Sequence, residues 1–158
     1  MSLDTGPKKP RKRLLHLAEE NLALTEHESR LMTIIDNLNF GIILIDDSGR
    51  ILEWNRQIAE ITGLNRNQVA GEFIWEVQSR FVSPEMKGTH TADFLMKAWK
   101  NEVFRLETGG SITGHGAIVS ASGKIVYVED FVRPVLTGGR RHYCISQKYT
   151  SDSRTIEI

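Results

Sequence analysis

The stretch GIILIDDSGRILEWN, residues 41–55, constrains the fold more than any other part of the chain. Ile42 to Ile45 are aliphatic throughout, and Arg50 to Trp54 mix polar and apolar side chains, as two short strands do. Between them Asp46, Asp47 and Ser48 can bond nearby backbone, and Gly49 can take the left-handed conformation of a bulged hairpin loop. A β-hairpin is expected, with Asn55 as its exit. The side-chain carbonyl of Asn55 can accept an unpaired amide from the first turn of a helix over 56–61, and Gly63 can end that helix in the left-handed region.

Downstream, a short helix is expected from Asn65 to Ala70, a break at Gly71, and an apolar patch of Phe73, Ile74, Trp75 and Val77, with another turn from Ser83-Pro84-Glu85. Thr91 to about Glu107 is helical by period, since Leu95, Trp99, Val103 and Leu106 form one stripe with Phe94 and Ala98 beside it. Three strands follow, at about 112–120, 124–134 and 140–149, separated by Ala121-Ser122-Gly123 and Thr137-Gly138-Gly139. In the middle strand Ile125, Tyr127, Glu129 and Phe131 alternate with Val126, Val128, Asp130 and Val132, and Pro134 ends the pairing or sits on a bulge. Nothing alternates strand and helix as a parallel sheet requires. The fold class is α+β, a five-stranded antiparallel sheet with helices on one face.

An amphipathic, coiled-coil-like helix precedes this domain. Residues 14–38 contain no Gly or Pro and place Leu17, Leu24, Leu31 and Leu38 at a seven-residue interval, with Leu14 and Ile35 in the companion row and Asn21 and Glu28 interrupting it. A short, weak parallel homodimer is expected through Leu14, Leu17, Leu24, Leu31, Ile35 and Leu38. Glu26 and Arg30, four apart, support the outer face. Residues 1–13, with Pro7, Pro10 and a basic cluster, are expected to be a disordered leader. The cluster carries no interleaved aromatic residue, so neither specific nucleic-acid binding nor membrane contact is expected of it. A zipper-type DNA binder needs a continuous basic helix entering the zipper, which Pro7, Pro10 and the acidic first turns of the helix argue against.

The 20 basic and 20 acidic residues cancel, so no overall field draws the chain to nucleic acid or a bilayer. No run approaches the ~18 apolar residues of a membrane span, and a cytoplasmic location is expected. The single cysteine, Cys144, excludes an intramolecular disulfide and any multi-cysteine metal site, and reads as a small core residue. The five histidines, His16, His27, His90, His115 and His142, include no pair at i, i+4 spacing, so no zinc site is expected. No Gly-x-Ser-x-Gly elbow, phosphate loop or kinase motif is present, and Asp46-Asp47 and Glu19-Glu20 read as a turn and a solvated helix.

Taken in order, these features resemble the PAS family of sensory domains over about 39–150. The resemblance rests on Gly41 and the apolar strand after it, the turn Asp46-Asp47-Ser48-Gly49, Ile51, Asn55, Ala59, Thr62-Gly63, Gly71, Phe81-Val82-Ser83-Pro84-Glu85 and the final three strands. It implies a five-stranded sheet cradling a cleft, in a non-catalytic sensor or dimerisation module attached to an output domain in a larger protein such as a histidine kinase or transcription regulator. The family's common Asp-Ile-Thr ending is replaced by Lys148-Tyr149-Thr150, so residues 151–158 read as a tail or truncated linker. The flavin-photoreceptor subgroup keeps a cysteine in mid-domain, whereas Cys144 lies in the last strand, which argues against that photochemistry.

Asn55, Ile58, Trp75, Phe94, Trp99 and Tyr127 are the candidates for lining a small-molecule cleft, although aromatic residues of this kind also simply fill a core. His90 stands just before the longer helix, the region from which haem-binding members of the family present an axial ligand. A haem- or flavin-binding sensor is therefore the alternative to a module without a cofactor, and a free-standing enzyme is a third.

Overall fold

The computed structural model describes residues 8–150, with side chains from Arg11 onward. The expected tail at 151–158 and the first seven residues of the leader lie outside the described residues. The chain divides into two compact units, with the boundary between Ile34 and Ile35.

The described residues of the first unit are helical. Helix α1 spans Lys8–Asp36, so it begins six residues before Leu14, and the basic residues 8–13 are helical rather than a disordered leader. Pro10 falls in the first turn, where its missing N–H would have no intrahelical partner. The proline argument against a continuous basic helix therefore does not hold, although the acidic turns beginning at Glu19 remain. Leu14, Leu17, Leu24 and Leu31 are all exposed. At the other end the helix stops at Asp36, so Leu38 lies beyond it and does not extend the leucine row. The Ile35 carbonyl is taken by Asn55 and by the Leu38 N–H, and the Asp36 carboxylate by the Arg56 N–H, so the helix ends where residues 20 positions away claim its last turn.

The second unit is the antiparallel sheet with its helices. In chain order it contains β1 (Gly41–Ile45), β2 (Ile51–Trp54), α2 (Arg56–Thr62), α3 (Arg66–Val69), α4 (Ile74–Ser79), α5 (Ala92–Ala98), a π-helical turn (Trp99–Val103), β3 (Ile112–Val119), β4 (Ile125–Thr137) and β5 (Arg140–Thr150). The strand order is β2-β1-β5-β4-β3, and every neighbouring pair is antiparallel. The last strand thus enters the sheet between β1 of the opening hairpin and β4.

The hairpin turn is held by Asp46, whose Oδ1 accepts from Ser48 N (2.9 Å), Ser48 Oγ (2.7 Å) and Arg50 N (2.9 Å). Burial pushes the Asp46 carboxyl up, but these bonds and one from the Gly49 amide together hold it below its ordinary range. Gly49 has φ 94°, and an added Cβ there would run into the Trp75 ring.

Strand β4 buries Val126, Val128 and Val132 and exposes Ile125 and Phe131, as the alternation requires. It does not end at Pro134. The ladder with β5 continues through Pro134↔Tyr143 to Thr137↔Arg140. Strand β3 begins at Ile112, opposite Val132, so Pro134 lies where one edge of β4 is free and a missing donor is tolerated. The expected helix over 91–107 is α5 followed by the π-helical turn, where Phe104 N–H bonds Trp99 O at 2.9 Å. Trp99 and Val103 point into the core.

Candidate functional site: a polar-tipped cavity between sheet and helices

Residues from β1, α2, α4, α5 and the last three strands line a partly open cavity of about 260 Å³ in the second unit. Its wall is mainly apolar, with Ile43, Ile58, Ile74, Val77, Val132 and Ile145 among the contributors. Gln78, Ser83 and His90 supply polar groups on the helical side. His90 Nδ1 lies 3.0 Å from Thr89 Oγ1, and its ring is 4.8 Å from that of Phe94.

The sheet side carries Asp130 and Gln147. Both occupy inward positions of strands whose other inward residues are apolar: Val128 and Val132 flank Asp130, and Ile145 precedes Gln147. They sit opposite one another in the β4–β5 register, and Gln147 Nε2 donates to Asp130 Oδ1 at 2.7 Å. Burial raises the Asp130 carboxyl above its ordinary range, and the Gln147 hydrogen bond and the nearby His115 oppose that only in part. Gln147 is 8% exposed, and its Oε1 has no hydrogen-bond partner.

Of the residues singled out from the sequence, Ile58 and His90 line this cavity. Trp75 is core, stacked on Phe73 at 4.9 Å. Trp99 is also core and donates from Nε1 to Gln78 Oε1 at 2.7 Å, which fixes one polar group of the wall. Phe94 is exposed on α5, and Tyr127 belongs to the set of β4 residues that alternates with the buried valines. Cys144 sits between the inward Tyr143 and Ile145 on β5, is not part of the cavity wall, and burial pushes its thiol up. Asp130 and Gln147 were not singled out. Their signal was present as polar residues on the apolar face of an alternating strand.

Asn55 is a different kind of site. It is 1% exposed and lies outside the cavity wall. Its Oδ1 accepts from Ile42 N (2.9 Å) and from Ile58 N (3.1 Å), the latter capping α2. Its Nδ2 donates to the carbonyls of Ile35 (2.9 Å) and Phe40 (3.1 Å). One amide therefore joins the cavity-lining helix α2, strand β1 and the foot of α1.

This arrangement, a five-stranded antiparallel sheet closed by short helices over a cavity, is matched by a family model described as the PAS fold across residues 29–147. The chain belongs to the PAS family. Solved PAS domains share its architecture. That of an HTR-like protein from Haloarcula marismortui superposes with a TM-score of 0.63 at 18% identity, covering 84% of this chain and 99% of the other. A PAS domain from a two-component sensor histidine kinase gives 0.57 at 19% identity, covering 80% and 99%. A LOV protein of Rhodobacter sphaeroides gives 0.57 at 14%, covering 81% and 70%. At these identities the likeness is one of fold.

Among curated proteins, the cell-division control histidine kinase PdhS of Brucella anthropi is 36% identical over 55 residues, and that of Brucella ovis 38% over 55. Each match covers 35% of this chain and 5% of the relative, so the PAS chain corresponds to a small part of those kinases. As a PAS domain the chain is of a sensory class. Among the described residues no helix is long and apolar enough to cross a membrane, and no group of three or more His, Cys, Asp or Glu could hold a metal ion.

Proposed function

We propose that this PAS domain is a non-catalytic input module of a larger signalling protein of the histidine-kinase kind, reading occupancy of its cavity and passing it, through a dimer paired along the N-terminal helix, to an output domain that follows. The observation that carries this reading is Asn55. Helix α2 presents Ile58 to the cavity, and Asn55 ties the start of that helix to Ile35 at the foot of α1. A ligand that shifts α2 must either carry the helix foot with it or break buried hydrogen bonds at a cost of about 1–3 kcal/mol each. The partial likeness to PdhS supports a kinase as the output.

Pairing through Leu14, Leu17, Leu24, Leu31 and Ile35 would give the foot of α1 something to act on, because two seven-residue seams rotate as a unit. The cavity suits a ligand smaller than haem or flavin. At about 260 Å³ it falls below the roughly 300–1,000 Å³ of drug-sized sites. That size weighs against either cofactor and supports a smaller ligand.

A fusion tests the proposal. The chain is placed ahead of the dimerisation and catalytic cores of a histidine kinase stripped of its own sensor, with zero to seven residues inserted at the junction. Autophosphorylation that rises and falls with a seven-residue period is expected. Activity indifferent to junction length would sink the input-module reading. A haem or flavin band in the absorption spectrum of freshly purified protein would overturn the assignment of a small, colourless ligand.

A further inference from the structure

The polar tip of the cavity is incomplete as it stands. Gln147 has two hydrogen-bonding ends, and its N–H₂ end is spent on Asp130 at 2.7 Å. Turning the amide over would place its oxygen against a carboxylate oxygen, so the observed orientation is the one a carboxylate selects. The Gln147 Oε1 that remains is buried without a donor, an unfavourable state that a ligand N–H or O–H would relieve. Asp130 is itself an acceptor when ionised, and no basic side chain lies within ion-pair distance of it among the described residues. No Lys or Arg lines the cavity. The tip thus offers a carboxylate and an amide oxygen side by side, both accepting, at the end of an apolar chamber formed by Ile58, Val77, Val132 and Ile145.

We infer that the cavity takes a small organic cation, a compact alkyl- or cycloalkyl-ammonium, whose N–H groups donate to Asp130 and to Gln147 Oε1 while its hydrocarbon part lies against the apolar wall. This inference rests on the sensor reading and supplies the chemical class of its signal. An ammonium carries three donors and no acceptor, so it fills both vacant acceptors and leaves the Gln147–Asp130 bond in place. A carboxylate ligand would add a third acceptor beside Asp130 and be repelled. A neutral alcohol would satisfy Gln147 but leave the Asp130 charge without a counterion.

Three probes with one skeleton separate these cases in calorimetric titrations of the full chain at pH 7.5: cyclohexylmethylammonium, cyclohexylmethanol and cyclohexanecarboxylate. The ammonium is expected to bind at least tenfold tighter than the alcohol, and the carboxylate not measurably. Asp130→Asn, nearly isosteric and able to keep the Gln147 hydrogen bond, is expected to bring ammonium and alcohol within threefold of one another. Gln147→Leu should weaken both, and circular dichroism and thermal melting confirm that each variant is folded. Alcohol equal to ammonium on the wild-type chain, a carboxylate that binds more tightly, or no binding by any probe overturns the inference. The junction-length series of the kinase fusion is read independently of these titrations, so the ligand class can fail while the input-module reading stands, and the reverse.

Discussion

Replacing Asn55 by alanine removes four hydrogen bonds from a side chain that is 1% exposed. Loss of the cap on α2 costs about 1 kcal/mol. The Ile42 amide, left without its 2.9 Å acceptor, adds about 1–3 kcal/mol, and the two carbonyls that lose Nδ2 add about 0.5–1 kcal/mol each. The sum is about 3–6 kcal/mol, a large share of the ~5–15 kcal/mol that holds a domain folded. At about 2–4 °C per kcal/mol for a chain of this size, the melting midpoint should fall by roughly 10–20 °C. Urea titration followed by tryptophan fluorescence gives the free energy directly, since Trp54 and Trp75 are both buried in the core. Asn55→Asp sharpens the test, because it keeps the Oδ1 acceptor but turns Nδ2 into an oxygen facing two carbonyls, so it should also destabilise. An alanine variant within about 1 kcal/mol of wild type, or an aspartate variant equal to it, would refute the hub argument.

Gly49→Ala should destabilise by about 1–3 kcal/mol in urea titration, because φ 94° is strained for an L side chain and the new methyl meets Trp75; an unchanged midpoint contradicts this. For Asp130 the folded carboxyl titrates above its unfolded value of about 3.8, so the folded state holds the proton more tightly. Its contribution to stability is therefore fully present below that value and declines as pH rises through the folded pKa. Asp130→Asn should be more stable than wild type at neutral pH, with the difference vanishing toward pH 3, and parallel stability curves for the two proteins would contradict the burial argument. For the helix, sedimentation of the intact chain against a form starting at Asn39 should show a concentration-dependent dimer only for the longer chain. In a parallel pair the basic 8–13 block and the acidic residues from Glu19 each face their own kind, so added salt should strengthen association; weakening by salt would mean an antiparallel pair, and equal masses would mean no pairing through α1.

Elements specified by short-range chemistry could be read directly from the residues. The Asp46–Gly49 turn, the Asn55 cap and the Gly63 stop each follow from one side chain and its nearest amides, and the β4 alternation follows from period alone. What escaped depends on neighbours distant in sequence. Whether Pro134 interrupts β4 depends on where β3 begins, and where α1 ends depends on Asn55 reaching back to Ile35. The π-helical turn at Trp99 leaves the apolar stripe intact, so periodicity does not distinguish it from an α-helix. The aromatic candidates could line a cavity or fill a core, and Trp75 and Trp99 take the second role, while Ile and Val are the commonest residues along the chamber. Asp130 and Gln147 were legible only as exceptions to a pattern, and their pairing needs the β4–β5 register.

In the proposed function the cavity and the foot of α1 are coupled through Asn55. Amide hydrogen exchange, followed residue by residue by NMR with and without whichever of the three cyclohexyl probes binds, tests it most directly. Occupancy is expected to change the protection of the Ile42, Arg56 and Ile58 amides, which bond Asn55 and Asp36, together with the amides around Asp130 and Gln147. A change confined to β4 and β5, with Ile42, Arg56 and Ile58 unaffected, would contradict it.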